Sequence, residues 1–338
     1  MRKRFIGLSF SPLPFAFSFL GAMLFAFCFP AQAQQPEKVA RIGFLTGASL
    51  ASQFARNEAF RQSLRELGYV ERKNIVIEWR SYEGKEDLRP KFAAELVRLK
   101  VDVIVAGGSG DIRAAKEATG TIPIVMLAGG DAVASGFIAS LARPGGNITG
   151  LSTLRPELSG KRLELLKETV PRLSRVAFIA SPENLDYAQE LKEIELAARS
   201  FGLKVQRLDI RSPKDIETAF RAAIKGRAGA ILFRVAGPYA ASHRPQIAEF
   251  AAKSRLPVIY ESAAYVEAGG LMSYGVDVTD VARRAAVFVD KILKGAKPAD
   301  LPVEQPRKFD FIINLKAAKQ IGLTIPPNVL ARADRVIR

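Results

Sequence analysis

Few side chains in this sequence could act as nucleophile, general base or metal ligand. His243 is the only histidine and Cys28 the only cysteine among 338 residues. One of each cannot build a Cys/His metal centre, and one cysteine cannot close a disulfide within the chain. His243 lies in Ala241-Ser242-His243-Arg244-Pro245, just before a helical pattern. A Ser-His-Asp hydrolase would need it together with a serine on a Gly-x-Ser-x-Gly turn, and the chain has no such turn. His243 therefore reads as a surface residue. The phosphate-binding signature Gly-x-x-x-x-Gly-Lys-[Ser/Thr] is also missing. The expectation is a protein that is not an enzyme and needs no cofactor.

What remains is chemistry that binds. Gly107-Gly108-Ser109-Gly110-Asp111 stands between a strand pattern and a helix pattern. It resembles a dinucleotide loop, but Arg113 occupies the place of the third glycine. Glycines let a ligand approach the backbone, and the following helix offers free N–H groups and partial positive charge. A carboxylate would suit that place; a plain tight turn would use the same glycines.

The elements around this loop alternate. Short apolar runs at 39–45, 74–79, 101–106 and 122–127 read as strands, with helical patterns between them and a further helix at 133–141. The second half repeats the scheme, with strands at 176–180, 204–210, 229–235 and 257–260. A helix at 281–293 would be capped by Thr279 and stopped by Gly295. Continuous apolar strands between amphipathic helices imply parallel sheets covered on both faces. The halves also match in order of parts. Ile122-Pro123-Ile124-Val125 leading to Gly145-Gly146 parallels Leu256-Pro257-Val258-Ile259 leading to Gly269-Gly270. The fold class is therefore α/β, with two doubly wound parallel-sheet lobes facing across a cleft. In such sheets, ligands sit beyond the carboxyl ends of the strands.

Composition is that of an ordinary globular protein, with 48% hydrophobic and 25% charged residues. The formal net charge is +16. The basic residues are dispersed and mixed with acids, as in Lys161-Arg162…Glu164…Lys167-Glu168, and no run of five or six occurs. Solvated helix faces explain this pattern, and no nucleic-acid partner is expected. Arg2, Lys3 and Arg4, the apolar run 15–29 and Ala31-Gln32-Ala33 have the layout of a secretory signal peptide cut after Ala33. The apolar run is shorter than the roughly 20 residues of a membrane span. A periplasmic location follows, with a mature chain that lacks cysteine.

Several long motifs carry a more specific likeness. They are Phe60-Arg61-Gln62-Ser63-Leu64-Arg65-Glu66-Leu67-Gly68-Tyr69-Val70-Glu71, Ser140-Leu141-Ala142-Arg143-Pro144-Gly145-Gly146-Asn147-Ile148-Thr149-Gly150, Leu158-Ser159-Gly160-Lys161-Arg162-Leu163-Glu164-Leu165-Leu166-Lys167-Glu168, Ala268-Gly269-Gly270-Leu271-Met272-Ser273-Tyr274-Gly275 and Gly322-Leu323-Thr324-Ile325-Pro326-Pro327. The mature chain resembles, along essentially its whole length, the ABC-type substrate-binding protein family that includes the tryptophan/tyrosine uptake binding proteins. The resemblance implies the type I periplasmic binding protein fold, with a three-segment hinge. It implies lobe 1 from residues 34–151 plus about 280–295, and lobe 2 from 154–273 plus about 305–338. It implies a monomer that binds a small polar molecule, such as an amino acid or related organic ion. The partner would be the membrane permease of an ABC transporter. A ligand-sensing periplasmic module presenting its bound state to a receptor is the alternative.

The resemblance also directs attention to residues just past the strand ends. On lobe 1 these are Thr46, Ser49, Gly108, Ser109, Gly129 and Asp131; on lobe 2 they are Ser181, Arg234, Tyr239 and Glu261. By position, Ser109 is the candidate for a ligand carboxylate and Glu261 for an ammonium, and Tyr239 could stack on an apolar side chain. Each has a plainer reading. Asp131 could cap a helix, Glu261 could be solvated at a lobe edge, and Arg234 could pair with a structural acid. Where many members carry Asp-Pro, this chain has Asp131-Ala132.

Overall fold

Two sheets of the same strand order organise the chain. The computed structural model describes residues 39–153, 155–183, 187–235, 240 and 242–338. The first sheet contains β1 (Ala40–Thr46), β2 (Ile75–Ser81), β3 (Val103–Ala106), β4 (Ile124–Met126) and β5 (Ile148–Gly150). Its strands run parallel in the order 2-1-3-4-5. The second contains β6 (Arg175–Ala180), β7 (Lys204–Asp209), β8 (Ala230–Arg234), β9 (Val258–Tyr260), β10 (Met272–Val276), β11 (Phe309–Asn314) and β12 (Arg335–Ile337). Strands β6 to β10 repeat the 2-1-3-4-5 order, and β11 joins β10 antiparallel with β12 beyond it. That edge departs from the all-parallel expectation. The chain leaves β10 through the helix Val278–Leu293, which packs on the first sheet, and returns only at β11, so no direct crossover fixes these two neighbours as parallel; mixed edges of this kind are common on large sheets.

Helices cover both sheets. They are α1 (Phe54–Glu66), α2 (Leu88–Arg98), α3 (Ser109–Ala118), α4 (Arg155–Thr169), α5 (Tyr187–Ser200), α6 (Asp215–Lys225), α7 (Arg244–Ser254), α8 (Ala263–Glu267), α9 (Val278–Leu293), α10 (Leu315–Gln320) and α11 (Pro327–Leu330). No described helix is long and apolar enough to cross a membrane. Central strands such as Val103-Ile104-Val105-Ala106 and Ala230-Ile231-Leu232-Phe233 are buried along their length. This is why they read as unbroken apolar runs.

Helix α9 packs on the first sheet although it follows β10 of the second. Val281, Ala285, Phe288, Val289 and Ile292 share one core with Phe44, Phe60 and Leu64. Ser63 Oγ donates to the Arg283 carbonyl at 3.2 Å, and Tyr69 Oη donates to Asp290 at 3.0 Å. The helix is capped by Asp277, whose carboxylate accepts from the N–H groups of Thr279 and Asp280, and not by Thr279 as the sequence suggested. The chain passes between the sheets after β5, after β10 and before β11. The first and third passages touch: Ser152 N donates to the Glu304 carbonyl at 3.0 Å, and Glu304 N to the Gly150 carbonyl at 2.9 Å.

The helix expected over 133–141 is absent; the segment is a series of turns. Gly136 sits at φ +69°, outside the helical region. Phe137 and Ile138 are still buried, so the apolar pattern reflected core contact without helical period.

Candidate functional site

A 2-1-3-4-5 sheet reverses its winding between strands 1 and 3, and ligands favour the crevice there. In the first sheet that point is the pair of segments after β1 and β3; in the second it is those after β6 and β8.

After β1, Thr46 is buried, and its Oγ1 receives long contacts of 3.4 Å from Ala48 N and from Arg56 Nη2. Ser49 forms a local turn, with Oγ accepting from Ser52 N at 3.2 Å. After β3, Gly108 is the extended residue that precedes α3, and no side chain caps the helix there. Ser109 is the first residue of that helix. Gly107 is small for a reason: a Cβ would meet the Leu45 carbonyl and Thr46 Oγ1 at 3.3 Å.

Asp111, in the first turn of α3, is buried beside this loop. Tyr82 Oη donates to its Oδ1 at 2.7 Å, Arg89 Nε donates to Tyr82 Oη at 2.7 Å, and Arg89 lies 3.6 Å from the carboxylate. Burial pushes the Asp111 carboxyl up to about 6, against the opposing pull of Tyr82 and Arg89. The folded state thus holds this proton more tightly than the unfolded chain. The resulting stabilisation is complete below about pH 4 and is lost as pH rises through about 6, a change on the order of 2–3 kcal/mol. Asp111→Asn should flatten this part of the stability profile while keeping the Tyr82 contact. Unfolding temperatures of both proteins between pH 4 and 7 check it, and parallel profiles would refute it.

After β4, Gly129 N donates to the Leu151 carbonyl at 3.2 Å. Asp131 Oδ1 accepts from the N–H groups of Val133 and Ala134 at 3.1 and 2.9 Å. Its carboxylate is turned onto its own chain, capping a turn.

In the second sheet, Ser181 follows β6 and is buried. Arg234 ends β8 and is about 1% exposed. It pairs with Glu190 of α5 at 3.2 Å and with Glu261, after β9, at 3.1 Å. The structural acid and the candidate ligand acid thus share one guanidinium. Beside them lies an aromatic cluster in which Tyr260 stacks on Tyr265 at 4.8 Å and Phe233 lies 5.7 Å from each. Tyr239 lies outside the described residues.

Two arginines in helix first turns just past the strand ends escaped the sequence reading. Arg56 lies in the first turn of α1, over the Phe44 ring, and Arg244 opens α7, 5.6 Å over the Tyr265 ring. Burial, and then the like charge of Arg244, push the Arg56 guanidinium down to about 10 against the pull of Asp111. The two charges, one carried on each sheet's helices, therefore act on each other. The usable signal was Arg244 itself, beside the histidine that attracted attention, and Arg56 one turn into a helix whose loop alone was considered. A surface cavity of about 220 Å³ lies elsewhere, lined by Arg61, Leu64, Tyr69 and Ile75 among others. Ile75 begins β2, so this cavity is at the amino ends of the strands, away from the crevice.

Known proteins fit this geometry. A tyrosine-binding protein of Clostridioides difficile (strain R20291) is 26% identical over 267 residues, covering 79% of this chain and 76% of its own. A solved ABC domain from Streptococcus pneumoniae in complex with L-Trp superposes with a TM-score of 0.81 at 28% identity, covering 88% of this chain and 99% of its own. A conserved domain protein of Vibrio cholerae O1 biovar eltor gives a TM-score of 0.82 at 28% identity, covering 88% and 100%. The fold is that of the type I periplasmic binding proteins. The profile of the family described as ABC transporter substrate binding protein matches residues 38–337. With two sheets of one order, reversal points that carry the polar loops, and a match along nearly the whole described chain, this protein belongs to the ABC transporter substrate binding protein family, whose members bind solutes and are not enzymes.

Proposed function

We propose that this chain is the exported binding component of an ABC-type uptake system, closing on an amino acid or related organic ion and passing it to a membrane permease. The observation that carries this reading is the pairing of two 2-1-3-4-5 sheets, linked by three passages, with charged side chains at the reversal points. The tyrosine-binding and L-Trp-bound relatives support the amino-acid class. Residues 1–33 act as a cleaved signal. Lobe 1 is 34–151 plus about 280–295, and lobe 2 is 154–273 plus about 305–338. Thr46, Ser49, Gly108, Ser109 and Gly129 contact the ligand from one lobe and Ser181 and Glu261 from the other, while Asp131 shapes its own loop and Arg234 holds Glu261. Closure is a hinge motion stabilised by contacts that exist only when both lobes hold the ligand.

The test begins with residues 34–338, screened against amino acids and organic acids by thermal unfolding. A ligand at about 1,000 times its Kd adds about 4 kcal/mol to the folded state. The expected result is a raised Tm with one chemical class and a smaller radius of gyration by X-ray scattering. In the native host, the protein in the periplasmic fraction should begin at Gln34. A folded protein with a flat screen, and no small molecule in its denatured extract, would defeat the binding reading; an intact Met1 form in the cytoplasm would defeat export.

A further inference from the structure

Three acids at the strand ends already have partners. Asp111 is held by Tyr82 and Arg89, Asp131 by backbone N–H groups, and Glu261 by Arg234. The arginines are different. Neither Arg56 nor Arg244 makes an ion pair among the described residues. Arg56 reaches Thr46 Oγ1 and Asn57 Oδ1 only at 3.4 Å, the long limit of a hydrogen bond. Arg244 has its Nε enclosed from solvent without a hydrogen-bond partner. An enclosed, unsatisfied guanidinium N–H is costly, and a second guanidinium within electrostatic reach adds to the cost. Flat aromatic faces, Phe44 under one and Tyr265 under the other, hold both forks in place.

We propose that Arg56 and Arg244 clamp a ligand carboxylate between the lobes, and that the ligand is a small organic acid of net negative charge. The inference rests on the cleft reading above and narrows its ligand class. A carboxylate accepts from two guanidinium forks at once, satisfying the enclosed N–H and removing the repulsion between like charges. It also supplies a contact to each lobe, so binding and closure become one event. The protein supplies two cationic groups and no described acid free of a partner among Asp111, Asp131 and Glu261. An ammonium on the ligand would thus gain little, and a deaminated acid should bind at least as well as the amino acid.

Matched triplets test this on residues 34–338: several aromatic and aliphatic amino acids, each with its 2-keto acid and its decarboxylated amine. Calorimetry should show the keto acid binding as tightly as the amino acid or more tightly, with the amine at least tenfold weaker. Arg56→Gln and Arg244→Gln should each weaken the acid by about 10- to 100-fold, from the loss of charge-assisted hydrogen bonds. Their ligand-free unfolding temperatures should stay near that of the parent, which separates a binding role from a structural one. Arg56→Lys should recover part of the loss, since it restores charge without the fork. Binding of the zwitterion alone, an amine that matches its acid, or parental affinity in both glutamine variants would overturn the proposal while leaving the binding function standing. No binding by any triplet member would remove this proposal, and the binding reading falls with it only if the wider screen is flat and the denatured extract is empty.

Discussion

Glu190→Ala should lower the unfolding free energy by about 3–5 kcal/mol, the cost of leaving one member of a buried ion pair behind. Glu190 and Arg234 are each about 1% exposed and lie 3.2 Å apart. Ser159 Oγ donates to the same carboxylate, and Arg162 Nη1 donates to Ser159 Oγ at 3.2 Å while its Nε donates to the Tyr274 carbonyl at 2.7 Å. The carboxylate therefore anchors a chain of contacts running from the end of β8, through α5 and α4, to β10. Removing it shifts the balance at Arg234 toward Glu261, which is 17% exposed and directly follows β9. Glu190→Gln keeps an acceptor for Ser159 but loses the charge, so it should fall between parent and alanine. Urea unfolding is the measurement: the midpoint should drop with little change in slope. A loss under about 1 kcal/mol for Glu190→Ala would show that the network contributes no net stability. Arg234→Met combined with Glu190→Leu should recover only part of the loss, because no guanidinium is stranded but Glu261, itself largely buried, gives up its cation.

This network shows which parts of the molecule the sequence carries on its surface and which it does not. An arginine closing the apolar run Ala230-Ile231-Leu232-Phe233 called for an anion, and that much was readable. Its partner lies forty-four residues earlier, on a helix face that looks like any other mixture of charge and alanine. Strands β1, β3, β6 and β8 were legible because burial on both faces demands continuous apolar residues. The repeat of parts between the halves pointed to two similar lobes, but the strand order itself was not legible, because neighbours in a sheet are set by the crossovers and not by a local pattern. Nor were the antiparallel β11 and the turns at 133–141, because each depends on where the chain must travel and not on a local period. The same holds for the site. Loop residues after strand ends could be marked by rule, but Arg56 and Arg244 come from helix first turns. Only the tertiary fold brings their charges within reach of each other.

Gly150→Ala should be the most damaging small substitution near the passages between the sheets. Gly150 ends β5 at φ +120°, a region essentially closed to other residues. An added Cβ would stand 2.5 Å from both the nitrogen and the carbonyl oxygen of Met126, on the neighbouring strand β4. Backbone atoms cannot swing aside as a side-chain tip can, so β5 itself must move. Overpacking and backbone strain each cost about 1–3 kcal/mol. A combined loss of about 3 kcal/mol corresponds to a fall of about 5 °C in Tm for a chain of this length. Gly146→Ala provides the control: it stands just before the same strand, a Cβ there meets nothing within 4 Å, and its Tm should stay within about 1 °C of the parent. Function should suffer beyond stability. The Gly150 carbonyl accepts from Glu304 N, and Leu151 bridges to Glu304, so displacing β5 pulls apart the first and third passages. Ligand affinity should then fall even at temperatures where the variant is folded, because the lobes lose the paired passages that set how they close. Equal Tm values for the two alanine variants would show that β4 and β5 can separate without cost, and would remove the hinge argument with it.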